Sequence, residues 1–310
     1  MALTGMREVL AQSLQELMEQ DERIIVMDAD LATANGTFGL RKIFPDRAID
    51  VGISEANMAS MAAGMSAYGM KPFIVTFTAF ASRRICDQLA ISCSYAKQNV
   101  KIIATDAGVT AQTNGGTHMS LEDIGIVRSI PGTVVLDMVD GIQLKKALPV
   151  IHEYKGVVYV RMVRKETPDV FDESYEFNLF KGTKVKSGKD LTIIASGIMV
   201  HEAIMAEAEL KEAGIDAEII AIHCIKPIDQ DIILESARKT GKVITLDNHN
   251  IHGGLYSAVT EVLSEKYPVH VKGIGIKNHF GEVGSTRFLM EKYGIAKEDI
   301  VREAKILCGN

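Results

Sequence analysis

DVGISEANMASMAAGMSAYGMKPFIVTFTAFASRR, residues 50–84, is the stretch whose reading decides the fold. Met58, Met61, Ala62 and Met65 recur at intervals of three and four, the spacing of one helix face, and Ser54 stands where an N-cap belongs. After Gly69 the pattern changes to KPFIVTF, a continuous run rich in aromatic and β-branched residues, which reads as a strand buried on both faces. One carboxylate, Glu55, heads the helix. A glutamate in a first turn complements the helix dipole, which is its ordinary reading. Here, though, the turn at Gly52–Ile53 leaves it at a strand rim, and the next strand ends in TFTAF with Phe77 and Phe80. A carboxyl beside aromatic walls is partly desolvated, which raises its pKa and suits it to share a proton with a flat heterocycle.

The same alternation extends outward in both directions. RIIVMDAD (23–30), VKIIATDAG (100–108), TVVLDMVD (133–140) and VVYVRMVR (157–164) read as further buried strands, separated by runs with helical spacing. ETPDVFDESYEFNLFKGTKVKSGK (166–189) has no period and reads as a linker. Strand–helix alternation then resumes to the end. The expected fold is α/β in two domains, 1–165 and 190–310, each a mostly parallel sheet covered by helices. Chemistry in such sheets sits at the carboxyl ends of strands, which singles out Asp30, Glu55, Phe77–Phe80, Asp106–His118 and Arg164.

Composition narrows the class. The 310 residues are 47% hydrophobic with net charge −6 and no basic stripe, which argues against nucleic acid as partner. No run reaches the roughly 18 apolar residues of a membrane span, and the N-terminus lacks the pattern of a signal peptide. Cys86, Cys93, Cys224 and Cys308 form no CxxC pair, as expected of reduced thiols in a cytoplasmic protein. His249, Asn250 and His252 fit no common metal spacing and read as structural or as subunit contacts.

The opening stretch, together with DADLATAN before it and NGGTHMSLEDIGIVRSIPG after it, resembles the pyrimidine-binding segment of transketolases. The second unit resembles the transketolase C-terminal domain, and the whole is most similar to the separately encoded C-terminal half of split transketolases. The resemblance implies thiamine diphosphate as cofactor and transfer of a two-carbon ketol unit from a ketose to an aldose. On it, Glu55 matches the glutamate that gives a proton or strong hydrogen bond to the cofactor's N1′ nitrogen. Phe80 matches the aromatic that stacks on the aminopyrimidine, Phe77 the wall beside it, and Asp30 an aspartate near the cofactor. For Asp30 a polar strand end or N-cap is an equal reading.

His118 matches the histidine that bonds the ketose, preceded by two glycines that let backbone approach a ligand. Asn114 stands where an aspartate usually reads a donor hydroxyl, and Arg83 where a tyrosine is common. Arg7 and Arg164 fall on phosphate-gripping positions, while Ala34 and Asp106 replace the serine and histidine between them. A phosphate held differently, another acidic tail and an uncharged ketose all fit this mixture. For Arg7 a surface ion pair is the competing reading.

No GDG run is found, so the resemblance implies a separate partner subunit that carries the diphosphate and Mg²⁺ site, with two of each chain in the assembly. Two alternatives stand beside this reading: the β-subunit of a 2-oxo acid dehydrogenase E1, and a non-catalytic α/β binding subunit.

Overall fold

The computed structural model describes residues 3–309. Fourteen strands are described: β1 Leu3–Gly5, β2 Ile24–Asp28, β3 Ala48–Asp50, β4 Lys71–Phe77, β5 Lys101–Thr105, β6 Thr133–Asp137, β7 Val157–Arg161, β8 Glu166–Pro168, β9 Thr183–Lys186, β10 Leu191–Ala195, β11 Ala217–Ala221, β12 Cys224–Lys226, β13 Lys242–Asn250 and β14 His270–Ile276. The first sheet runs β12-β6-β7-β5-β4-β2-β3, parallel except for β12. The second runs β14-β13-β10-β11-β9, parallel except for β9.

The central strands are buried along their whole length, because helices pack on both faces of a parallel sheet. Burying each Ile, Val or Leu contributes roughly 1.5–3 kcal/mol. The helix Glu55–Ala67 presses Met58, Ala59 and Ala62 into the core, with Met61 and Met65 at its margin. Among the described residues no helix is long and apolar enough to cross a membrane.

The structure departs from the sequence reading in three places. Ser54 occupies the N-cap position as expected, but its side chain makes no capping bond; its hydroxyl donates to the Val51 carbonyl at 3.0 Å. The irregular stretch 166–189 contributes a strand at each end: β8 pairs with β1, and β9 forms the antiparallel edge of the second sheet. The apolar run DAEIIAIHC (216–224) is divided: the chain leaves the second sheet after Ala221, and Cys224–Lys226 joins the edge of the first. The two units are therefore stitched at both ends of the connection.

Candidate active site

The carboxyl ends of β2 through β7 form one rim. Phe77 ends β4, Asp106 follows β5 and Arg164 follows β7, while Glu55 opens the helix after β3. Beyond β4 the chain makes a wide π-type turn over Phe80–Arg84, a geometry common at functional sites. Phe77 and Phe80 lie with ring centroids 5.9 Å apart, and His118 meets Phe80 edge-on at 5.2 Å and Phe77 at 6.2 Å. Three of the residues singled out in sequence thus share one aromatic corner.

Glu55 is 2% exposed, and its Oε1 accepts a hydrogen bond from Arg84 Nη1 at 2.7 Å. The same guanidinium stacks over the Phe80 ring, 4.0 Å from its centroid. The expectation of a carboxyl set only against aromatic walls is corrected: a planar cation bridges carboxyl and ring. Sequence reasoning passed over Arg84, although a spacing of four from Phe80 puts the two on one side of a helical turn. Arg83, the departure noted in sequence, pairs with Glu122 at 2.8 Å and reaches the Thr117 carbonyl, bracing the loop that carries His118.

The His118 loop lies against the second unit. Gly115 has φ +66°, and a Cβ on Gly116 would lie 2.6 Å from the Gly281 carbonyl oxygen. The Gly-Gly pair therefore permits close approach to the second unit. His118 Nδ1 lies 2.8 Å from the Thr117 hydroxyl. Asn114, four residues earlier, is exposed at the end of a tight turn.

Arg164 and Arg7 come together, since the Arg7 N–H donates to the Arg164 carbonyl at 3.2 Å. Arg164 Nε donates to Asp106 Oδ1 at 3.0 Å and Nη1 to the Ala34 carbonyl at 3.3 Å, and the guanidinium lies 5.2 Å over Phe77. Burial pushes the Asp106 carboxyl above its usual range, against the pull of Arg164, Lys165 and His118. Arg7 itself forms an exposed ion pair with Glu8 at 2.7 Å. Asp30 is exposed with φ +60°, and its backbone N–H donates to Asp50. The N-cap work expected of it falls to Asp28, whose Oδ1 accepts from Leu31 and Ala32.

His249 is buried, its ring nitrogens beside the Asn250 carbonyl and the Gly125 N–H. Among the described residues no three His, Cys, Asp or Glu side chains are grouped so as to hold a metal ion.

The description "Transketolase, pyrimidine binding domain" matches residues 4–169, and "Transketolase, C-terminal domain" matches residues 181–300. The chain belongs to the transketolase family. It is 46% identical to the 6-deoxy-6-sulfo-D-fructose transketolase subunit SqwH of Clostridium sp. (strain MSTE9), over 96% of this chain and 93% of that one. Identity to an apulose-4-phosphate transketolase subunit of Phocaeicola vulgatus is 35%, over 96% of each chain. A split-gene transketolase solved as an inactive beta4 tetramer superposes with a TM-score of 0.90, at 38% identity over 98% of both chains. The chain is accordingly the C-terminal subunit of a split transketolase, a transferase that works as part of a heteromeric enzyme. These relatives are transketolases rather than 2-oxo acid dehydrogenases.

Membership implies dependence on thiamine diphosphate. The residues at the rim fit the pyrimidine half of that cofactor. Arg84 is a flat, N–H-bearing group stacked on Phe80 and donating to Glu55, the two contacts an aminopyrimidine asks of a site.

Proposed function

We propose that this subunit supplies the pyrimidine-binding and ketose-binding half of a thiamine diphosphate site. An N-terminal partner subunit with a GDG-type motif supplies the diphosphate half and its Mg²⁺. Two copies of each chain make the assembly on this reading. Two modules, 1–165 and 190–310, are joined by 166–189, and the cytoplasm is the compartment in which four free thiols stay reduced.

Thiamine diphosphate, when bound, supplies the electron sink for breaking and making the carbon–carbon bond. Glu55 is the catalytic carboxyl: its Oε1 holds the proton shared with the pyrimidine ring nitrogen, and burial keeps water from competing. Phe77 and Phe80 give the flat ring its stacking surface, and Asp30 borders the cofactor. His118, fixed by contact with both rings, donates to the ketose oxygen, and Asn114 reads a neighbouring hydroxyl. Arg164 attracts the far end of the sugar, and Arg7, already paired with Glu8, borders it. The two named relatives carry a sulfonated and a phosphorylated sugar in their names, so an anionic tail is the property both share.

The observation that carries this reading is the buried Glu55 carboxylate facing a planar cation on Phe80. Its test is Glu55→Gln in the assembled enzyme. General acid–base catalysis contributes about 10²–10⁴-fold, so ketol transfer should fall by at least about 10²-fold while the subunits still assemble. Transfer near the wild-type rate would leave the non-catalytic reading in possession.

A further inference from the structure

The tail-binding corner has a charge balance unusual for a phosphate site. Asp106 is 1% exposed, held at φ +58°, a backbone region that non-glycine residues seldom enter. Such a residue persists only where its surroundings fix it. Its Oδ1 takes the Arg164 Nε hydrogen bond, and its Oδ2 is buried without a partner. Arg164 Nη1 is meanwhile engaged by the Ala34 carbonyl. Two of the three guanidinium nitrogens are thus in use. Any bidentate grip on an incoming oxyanion must share at least one of them.

The charges that act on Asp106 are Arg164, Lys165 and His118. Arg164 and Lys165 are two cations facing one carboxylate, which leaves one net positive charge among the three. Arg7 adds nothing to that sum, because Glu8 neutralises it. A phosphate monoester brings about 1.5 to 2 negative charges at neutral pH. Its second charge would be repelled by the buried Asp106 carboxylate. A sulfonate has the same three oxygens and one charge.

We infer that this corner selects a ketose with a singly charged, sulfonate-type tail over one with a phosphate, and that Asp106 is the residue that sets the preference. The inference rests on the ketol-transfer reading above and sharpens its substrate class. Ala34 belongs to the same device: its carbonyl holds Arg164 toward Asp106 and its methyl offers a tail no hydroxyl donor.

The test uses the assembled enzyme and three donors: a 6-sulfo-6-deoxyketohexose, the matching 6-phosphate and the uncharged ketose. The sulfonate should give a kcat/KM at least about tenfold above the phosphate. In Asp106→Asn, which keeps the shape and removes the charge, the phosphate-to-sulfonate ratio should rise at least about tenfold. Co-elution of the variant with the partner subunit on gel filtration shows that it is folded and assembled. A preference for phosphate in the wild type, or a ratio that Asp106→Asn leaves unchanged, overturns the inference. A second arm needs no variant: ethanesulfonate should inhibit the wild type more strongly than ethyl phosphate, and the reverse order refutes the charge argument. Should the wild type turn over none of the three donors, the ketol-transfer reading itself fails and this inference with it. Turnover of the uncharged ketose alone rejects the anionic tail but leaves ketol transfer standing.

Discussion

Glu55 and Arg84 hold each other at 2.7 Å with Phe80 beneath the guanidinium, so the face proposed to stack the pyrimidine is covered from within the subunit. On that proposal, cofactor binding displaces Arg84. A partly exposed ion pair with a cation–π contact is worth about 1 kcal/mol. Arg84→Met should accordingly tighten thiamine diphosphate binding by the assembled enzyme about three- to fivefold, measured by titration. Weaker binding by that variant would show that Arg84 supports Glu55 instead of competing for the slot. Glu55, Phe77 and Phe80 were legible at the rim because each ends a strand or follows one within a few residues, and His118 because it lies on the long loop that leaves β5. Arg84 was not, because a charged residue one turn beyond an aromatic looks like an ordinary solvated face. Asp106 was visible only as a departure; that its charge is already matched by Arg164 needed the 3.0 Å contact.

Elements were read well where burial is uniform and poorly where a short strand depends on a distant neighbour. β2, β4, β5 and β7 carry unbroken apolar runs and stand where expected. β8 and β12 are three residues each, and nothing local distinguishes them from loop; β1 and β6 create them by pairing. The turn into β12 places His223 in the junction, fully buried against Phe177, with Nε2 3.0 Å from the Asn178 carbonyl. Burial depresses its pKa to about 4 from the ordinary value of 6.5. The unfolded chain then binds a proton over this interval that the folded chain refuses. Its contribution to stability is present in full above pH 6.5 and is lost as pH falls toward 4, at about 1.4 kcal/mol per unit. Urea unfolding between pH 7 and 4.5 should show a shallower acid slope for His223→Gln than for wild type. Equal slopes would place the acid sensitivity elsewhere.

At the scale of the molecule, the joint between the units is built from buried charge. Arg161, 1% exposed at the end of β7, donates to Asp123 at 2.9 Å, to Asp137 at 3.2 Å and to the Asn248 carbonyl of β13 at 2.6 Å. Asp137 also accepts from Ser196, and the Asn248 side chain bonds Ala107 and Val109 of the first unit. Asp123, Asp137, Arg161, Ser196 and Asn248 lie far apart in sequence, so periodicity could not reveal them. Removing one member of a buried charge network leaves the others unpaired, which costs about 3–5 kcal/mol. Arg161→Met should lower the unfolding free energy by that amount in a urea titration, and a change below about 1 kcal/mol would mean that water reaches the joint.

The same two-unit body carries a carboxyl and a stacking surface at its rim and, among the described residues, no group of side chains fit for a metal. Whether the subunit can hold the cofactor alone is therefore decisive. Calorimetric titration of thiamine diphosphate with Mg²⁺ into this chain, and into its mixture with a GDG-bearing partner, answers that directly. Binding in the mixture and none to the chain alone is the result predicted. Tight binding to the chain alone, or none to the mixture, would contradict the half-site.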